Sequence, residues 1–437
     1  MTGKGIFLGC IADDFTGAGD LASFLSDAGL SVVLFNGIPE KAPEEEGEVY
    51  VIALKSRTAP AAEAVSETLR AAAWLKEAGV KQLYLKYCST FDSTPEGNIG
   101  PAADALLETY AIPYTVLCPS LPVNGRKVKD GKLSVNGVPL YESSMRNHPL
   151  TPMKDDRLKE LMEAQSRYPA FVVTAEEMTD EKALRERIRE YGKQYRHFYL
   201  IPDYFEDSHA ADIIRCFGDL GLLTGGSGLM TALAEKFLKE AETGDNGRSG
   251  PAVPAPRQPG GAVLLAGSCS EMTLKQIAAW RESGAPSYHL SPGKLLDSPE
   301  EESGKALSFL SAHPGEDVLL YSSEPVEKVR QVQKAGAEKV SRLLEGLTAE
   351  LALHALAEGK TRIIVAGGET SGAVTKALGY DAFRIGKSIA PGVPVMIPCD
   401  RTDIRLVLKS GNFGDEDFFR KALLMTETPG GEKWEQN

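Results

Sequence analysis

The 437-residue chain reads as an α/β protein of two domains, each a mostly parallel sheet with helices on both faces, with the active site in the interdomain cleft. Three observations predict this. Short apolar runs alternate with helical patterns from the start of the chain, as when parallel strands are joined by crossover helices. The length exceeds what one ordinary core supports. A stretch rich in Gly, Pro and polar residues, Thr243-Gly-Asp-Asn-Gly-Arg-Ser-Gly-Pro251 and then Pro254-Ala-Pro-Arg-Gln-Pro-Gly-Gly261, cannot build a core. The expected division is 1–239, a linker at 240–261, and 262–437.

The first strand is expected at Ile6-Phe7-Leu8 and the first helix at Leu21–Leu30, where apolar residues recur at helical spacing. Between them runs Gly9-Cys-Ile-Ala-Asp-Asp-Phe-Thr-Gly-Ala-Gly-Asp20, read as a loop. In an open α/β sheet such a loop lies at the carboxyl end of its strand, where ligands bind. It carries Asp13, Asp14, Asp20 and the Thr16 hydroxyl. The amides of Gly17, Ala18 and Gly19 are expected at the helix N-terminus, which suits an anion. Carboxylates beside an anion site make sense if one is a general base or a metal ligand. The alternative is that Asp14 or Thr16 simply caps the helix.

Further strands are expected at Ser31–Phe35, Val49–Leu54, Gln82–Tyr87 and Tyr114–Cys118, with a helix from Ala61 to Ala78. Their ends are polar: Lys55-Ser-Arg-Thr58, Lys86-Tyr-Cys-Ser-Thr-Phe-Asp-Ser-Thr94 and Asn124-Gly-Arg126. At one sheet edge these loops would gather Lys55, Arg57 and Lys86 as cations, with Ser89, Thr90, Asp92, Ser93 and Thr94 as short hydrogen-bonding groups. Cations for a carboxylate and short polar groups for hydroxyls suit a small polyhydroxy acid. Lys129–Leu140 reads as a hairpin with turns at Asp130-Gly131 and Asn136-Gly137. The polar, proline-bearing loop Glu142–Met153 follows, with Arg146 and His148 as candidate ligands. Leu222-Leu-Thr-Gly-Gly-Ser-Gly-Leu-Met230 reads as strand, glycine turn and helix, a second potential anion cradle.

The second domain restarts at Gly261-Ala-Val-Leu-Leu-Ala266, followed by Gly267-Ser-Cys-Ser270. Arg362-Ile-Ile-Val-Ala366 leads into Gly367-Gly-Glu-Thr-Ser-Gly372 and a helix at Ala373–Leu378. Arg405-Leu-Val-Leu408 leads into Lys409-Ser-Gly-Asn-Phe-Gly414. Three strands each ending in a Gly/Ser/Thr loop fit a nucleotide, because glycines admit a phosphate chain and hydroxyls and amides hold it. None is G-x-x-x-x-G-K-[ST], and no G-x-G-x-x-G follows a strand. The helical pattern from Pro325 to Glu358 reads as scaffold whose Lys/Glu face could pack between subunits of a homo-oligomer.

Bulk properties narrow the classes. A net charge of −13 argues against nucleic acid but not against a small anion met by a local cationic cluster. Cysteines at 10, 88, 118, 216, 269 and 399, with no C-x-x-C, fit a reduced cytoplasmic protein. Met1–Gly5 leads straight into a strand, so no signal peptide is expected, and no apolar run nears the roughly 18 residues of a membrane span.

The opening Ile-Ala-Asp-Asp-Phe-Thr-Gly-Ala, Leu54–Thr58, Lys86–Gly100, Met145-Arg-Asn-His-Pro-Leu-Thr-Pro-Met153, Leu223–Leu229, Ala366–Gly372 and Leu408–Gly414 together resemble the four-carbon acid sugar kinases over nearly the whole chain. The Lys86–Thr94 and Met145–Met153 forms are most similar to the 3-oxo-tetronate kinases, with D-threonate and D-erythronate kinases as near relatives. The resemblance implies ATP and Mg²⁺, transfer to the C4 hydroxyl, the acid on the first domain and the nucleotide on the second. By motif, it places ATP on Ser268 or Ser270, on Gly367, Gly368, Glu369 and Thr370, and on Gly411. It assigns no metal ligand. Gly19 stands where the family often has Thr, and Asn147 where it often has a second His.

On this reading one aspartate takes the hydroxyl proton, Asp14 first, with Asp13 and Asp20 as competitors. A ribokinase-like kinase is the enzymatic rival, because Thr16-Gly-Ala-Gly-Asp20 resembles that family's anion hole and aspartate, though there it stands late in the chain. The rival from another class is a two-lobed, non-enzymatic sugar-acid sensor.

Overall fold

The computed structural model describes residues 6–41, 46–147, 151–243, 260–324 and 337–427. They fall into two compact units, Met1–Pro251 and Ala252–Asn437.

The first unit is built on β1 (Leu8–Ala12), β2 (Val32–Asn36), β3 (Val49–Ala53), β4 (Gln82–Lys86) and β5 (Tyr114–Cys118). A small meander follows, β6 (Arg126–Lys129), β7 (Lys132–Val135) and β8 (Val138–Pro139), and then β9 (Ala170–Val173), β10 (Phe198–Pro202) and β11 (Leu222–Gly225). The main sheet runs β2-β3-β1-β4-β11-β5-β10-β9 with every pair parallel. Its strands are continuous apolar runs because both faces are covered; all five residues of β1 and of β3 are buried. Helices Ala61–Glu77 and Ile99–Thr109 pack together, as do Phe15–Asp27 and Met230–Thr243, which gives the sheet its two helical layers.

The chain places β2 and β3 on one side of β1 and then crosses to β4 on the other. That reversal is the switch point where open α/β sheets bind ligands. Register sharpens this. Ala53, Ala12, Lys86, Gly225 and Cys118 are successive cross-strand partners, so the segments that follow them emerge side by side along one edge.

The meander's two turns follow their sequence signals. Asp130 and Asn136 both adopt φ 51°, and Gly131 and Gly137 adopt φ 72° and 84°, the left-handed pairs that two-residue hairpins require.

The second unit comprises β12 (Ala262–Ala266), β13 (Ser287–His289), β14 (Val318–Tyr321), β15 (Arg362–Ala366), β16 (Ala382–Ala390), β17 (Val393–Pro398) and β18 (Arg405–Lys409). The order is β13-β14-β12-β15-β18-β17-β16, parallel as far as β18 and antiparallel beyond it. Its core joins Leu264, Ile364 and Val407 to Ile277, Trp280 and Phe418 from the flanking helices. Again the chain reverses about its first strand, between β12 and β15, and Ala266, Ala366 and Lys409 are successive partners.

Local expectations shift in two places. Gly9–Ala12 belong to β1, and the first helix already begins at Phe15, so the expected glycine loop shrinks to Asp13-Asp14. Gly368–Gly372 likewise form the first turns of helix Gly368–Leu378. In both, small residues expected in a loop belong to the flanking strand or to the first turns of a helix. The expected linker falls mostly on 244–259, outside the described residues, as does 325–336 of the long helical pattern, whose remainder is helix Ala337–Ala357.

Candidate functional site

At the edge of the first sheet, Asp13 and Asp14 end β1. Arg57 holds Asp13 bidentately, Nε to Oδ2 at 3.0 Å and Nη2 to Oδ1 at 2.9 Å, and reaches Asp14 Oδ2 through Nη1 at 2.7 Å. The arrangement is fixed from behind: the amides of Ser56 and Arg57 both donate to Asp13 O, and Asn98 Nδ2 donates to Ser56 O at 2.7 Å. Burial pushes the Asp13 carboxyl above its ordinary range against the pull of Arg57. Burial also disfavours the Arg57 charge, but Asp13 and Asp14 together hold its proton more tightly than usual.

Asp14 is the N-cap of helix Phe15–Asp27. Its Oδ1 accepts from the Gly17 amide at 2.5 Å and its backbone carbonyl accepts from Ala18. Two of the three amides expected to receive an anion are therefore spent on Asp14, which caps the helix while also holding Arg57. Lys86 is buried at the end of β4 and donates to Tyr87 O at 3.0 Å. A Cβ on Gly17 would lie 2.8 Å from Asp14 Oδ1, 3.2 Å from Lys86 Nζ and 3.6 Å from Arg57 Nη2. The missing side chain is what lets these charges close around one point.

Asp20 stands one turn further along the same helix. Its Oδ2 accepts a short hydrogen bond from the Ser227 hydroxyl, while Oδ1 is buried with no partner among the described residues. Burial raises its pKa, with Lys86, the Ser227 hydroxyl and Arg126 pulling the other way. Asp92 Oδ1 is also buried and unpartnered among the described residues, while the Asp92 amide donates to Cys88 Sγ at 3.0 Å. Ser89 is half-buried, and Thr90 and Ser93 are buried. The Ser93 hydroxyl donates to Gln165 Oε1 and that of Thr94 to Glu96.

Other expected ligands differ in exposure or lie beyond the described residues. Lys55 and Arg146 are exposed, and His148 lies outside the described residues. The Gly225–Gly228 turn is shaped by backbone contact: a Cβ would meet Cys118 O at 2.2 Å from Gly225, Pro119 O at 2.6 Å from Gly226 and Ser120 O at 2.2 Å from Gly228. Those glycines seat β11 against the end of β5.

In the second unit, the amides of Gly267 and Ser268 donate to Ala366 O, and Gly367 donates to Lys409 O. Gly367 has φ 138°, open to glycine, and a Cβ there would lie 3.0 Å from Ser268 N and 3.1 Å from Thr370 Oγ1. On Gly411 a Cβ would lie 2.3 Å from Ser268 Oγ and 2.9 Å from Ser270 Oγ. Thus Ser268, Ser270, Gly367, Thr370 and Gly411 converge from three loops, as expected. Gly368, with open space where a Cβ would stand, and exposed Glu369 begin the adjoining helix. Its first-turn amides point out of the helix end, a setting for anions.

Three residues that matter here were passed over in the sequence. Lys409 is buried and donates to Thr273 Oγ1, Ser410 O and Gly411 O at 3.1, 3.1 and 2.8 Å, which fixes the Gly411 turn; burial lowers its pKa to about 8. Ser227 binds Asp20, and Arg126, whose Nε is buried with no partner among the described residues, is acted on by the charges of Asp92 and Asp20. The signal for both basic residues was present: each is a cation at a strand end, as Lys86 is, and only the cations after β3 and β4 were counted.

Comparison with known proteins agrees with this division. A sugar-binding N-terminal domain model matches residues 8–233, and a nucleotide-binding C-terminal domain model matches residues 263–419. The 3-oxo-tetronate kinase of Brucella melitensis is 42% identical over 428 residues, 97% of this chain and 96% of that one. That of Pseudomonas fluorescens is 43% identical, covering 95% and 96% of the two chains. The crystal structure of a Haemophilus influenzae protein aligns with TM-score 0.81 at 40% identity over 96% of this chain and all (100%) of its own. One of a Salmonella typhimurium protein aligns with TM-score 0.86 at 40% identity over 95% and 98%. None of the described helices is long and apolar enough to cross a membrane.

Proposed function

Because this chain belongs to the 3-oxo-tetronate kinases of the four-carbon acid sugar kinase family, we propose that it moves the γ-phosphoryl group of ATP to the C4 hydroxyl of 3-oxo-tetronate, forming 3-oxo-tetronate 4-phosphate and ADP. The observation that carries this is the full-length match to relatives of that name, at 42% identity over 97% of the chain. Two sheet edges built for different ligands support it: buried carboxylates and cations in the first unit, converging glycines and hydroxyls in the second. The six cysteines are free, three of them buried, which fits work in a reducing cytoplasm.

Phosphoryl transfer of this kind rests on positioning and on charge neutralisation. The acid lies on the first unit. Asp20 is the base, because Asp13 and Asp14 have both oxygens committed to Arg57 or the helix cap, while Asp20 Oδ1 keeps its lone pairs. Ser227 holds the other oxygen and so sets the direction of the free one. Lys86, beside Gly17, offers positive charge to the phosphoryl group as it reaches the C4 oxygen. Asp14, first in the sequence reading, becomes the residue that starts the helix and orients Arg57.

ATP lies on Gly267–Ser270, Gly367–Thr370 and Gly411 of the second unit. Mg²⁺ fits as an ion brought by the phosphates: among the described residues no three carboxylate, thiol or imidazole groups gather to hold a metal, and Mg²⁺ on a nucleotide needs only one or two carboxylates. Glu369, exposed in the first turn of its helix, is the carboxylate that would meet it. When bound, the ion supplies neutralisation of the phosphate charge.

Nucleotide binding is tested by heat. Ligand at about 100 times its Kd adds about 2.7 kcal/mol to stability, so millimolar ATP with Mg²⁺ raises Tm by several degrees. In Gly368→Val the new Cβ stands in open space, with no atom of another segment within 4 Å, so the fold is expected to tolerate it. It fills the space before the helix end, and the ATP-dependent rise is lost while the acid still binds. Absence of any rise in the unmodified protein would favour the non-enzymatic sensor.

A further inference from the structure

Within the first unit, seven buried side-chain polar atoms stand without partners among the described residues; Gln82 Oε1, Arg187 Nε and His197 Nε2 are scattered, and the other four lie on neighbouring segments of one sheet edge. They are Asp20 Oδ1 after β1, Asp92 Oδ1 after β4, Ser120 Oγ after β5 and Arg126 Nε at the start of β6. A buried polar atom without a hydrogen bond costs about 1–3 kcal/mol. The four gathered at this edge include donors and acceptors and groups of both charge signs. They are what a polar ligand leaves behind when its own groups complete the set.

Arg126 is the group that does not fit the sequence reading of the acid site. Its Nη1 donates to Asn124 O two residues back, and the Leu121–Arg126 backbone bridge fixes its Cα at the mouth of the meander. Burial lowers its pKa, opposed by the charges of Asp92 and Asp20. Arg57, the cation singled out for the acid carboxylate, has three of its N–H groups committed to Asp13 and Asp14. Lys86 lies at the Gly17 end, with Asp14 and Arg57 around it.

Taking the kinase reading above as given, we propose that Arg126 is the specificity-determining residue that binds the C1 carboxylate of the sugar acid, with Asp92 Oδ1 accepting the neighbouring C2 hydroxyl. The substrate is thereby read from both ends. Its reacting C4 hydroxyl meets Asp20, and Lys86 attends the incoming phosphoryl group. Its carboxylate sits on Arg126, whose planar fork matches a carboxylate through two parallel hydrogen bonds. The assignment also gives Arg126 Nε, buried and unpartnered among the described residues, its acceptor: the ligand supplies the anion.

The test separates binding from turnover. Calorimetric titration of 3-oxo-tetronate into the full-length protein, without ATP, is compared for the unmodified chain, Arg126→Gln and Arg126→Lys. A neutral four-carbon ketose carrying a hydroxymethyl group in place of the carboxylate is titrated alongside. Loss of a charge-assisted hydrogen-bonded pair weakens the acid by roughly tenfold to a hundredfold in Arg126→Gln. The neutral ketose changes by less than about threefold, and Arg126→Lys falls between. Equal loss for acid and ketose, or an unchanged acid affinity in a variant with unchanged Tm, overturns the assignment. So does failure of the unmodified chain to prefer the acid over the ketose. Because no phosphoryl transfer is read, a protein that binds the acid on Arg126 but releases no ADP would refute the kinase reading and leave this one standing.

Discussion

Asp20→Asn lowers kcat by at least about 10²-fold, the lower end of what loss of a general base costs. The carboxamide keeps the shape of the carboxylate and can still meet Ser227, but its nitrogen or carbonyl cannot accept the C4 proton. The KM values for ATP and acid change by less than about threefold, because the interaction removed is made in the transition state. Asp14→Asn should behave differently. Its carbonyl still caps helix Phe15–Asp27, Arg57 keeps Asp13, and kcat falls less than about tenfold. The pH profile gives a second reading. Burial raises the Asp20 pKa, and a base works only when deprotonated. Activity in the unmodified enzyme is therefore lost as pH falls through a value above that of an ordinary aspartate. A folded Asp20→Asn with near-normal kcat, beside an inactive Asp14→Asn, would return the base to Asp14.

Arg57→Met is expected to act on the fold before it acts on the substrate. Arg57 is 30% exposed and Asp13 12%, so the pair is largely shielded from solvent. Removing one partner of a buried ion pair leaves the other charge uncompensated and costs about 3–5 kcal/mol. At about 2–4 °C per kcal/mol, even the lower figure means a Tm lower by roughly 6–12 °C. The pH dependence has a definite sign. The folded-state pKa of Asp13 already lies above its unfolded value, so between the two the folded state holds the extra proton and stability falls as pH rises. Without Arg57 that pKa climbs further and the slope steepens, so the variant loses most at neutral pH and recovers part of its Tm in acid. The measurement is a set of melting curves from pH 4 to 8. A variant with unchanged Tm and weakened acid binding would mean that Arg57 serves the substrate and that Asp13 needs no cation.

Much of this was legible in the sequence because parallel sheets write their core as unbroken apolar runs. Tyr114–Cys118 coincides with β5, and Val49, Gln82 and Arg362 begin the strands expected from them. The turns Asp130-Gly131 and Asn136-Gly137 were equally plain, because few other residue pairs accept left-handed backbone twice in succession. Small residues were the blind spot. Gly17, Ala18 and Gly19 look like a loop, yet they lie within a helix, and at Gly17 the close approach of Lys86 and Arg57 requires a small residue. Sequence named Asp13, Asp14 and Asp20 as a group with Asp14 first, whereas the order proposed from the structure depends on which oxygens Arg57, the Gly17 amide and Ser227 take. Ser227 is 207 residues from Asp20 and joins it only through the placement of β11 between β4 and β5. Arg126 was hidden for a similar reason: its partners follow β1 and β4, and it opens a meander that read as a separate hairpin.

The claim at the centre is a reaction, and the most direct measurement is ADP release from ATP and Mg²⁺ over a panel of four-carbon acids, with the phosphorylated carbon assigned by phosphorus–proton coupling. The expected result is turnover of 3-oxo-tetronate to the 4-phosphate, with kcat/KM at least about tenfold above those for D-threonate and D-erythronate, the loss expected when one hydrogen-bonding group is mismatched. ADP release with none of these acids, or a phosphate found on a carbon other than C4, would contradict it.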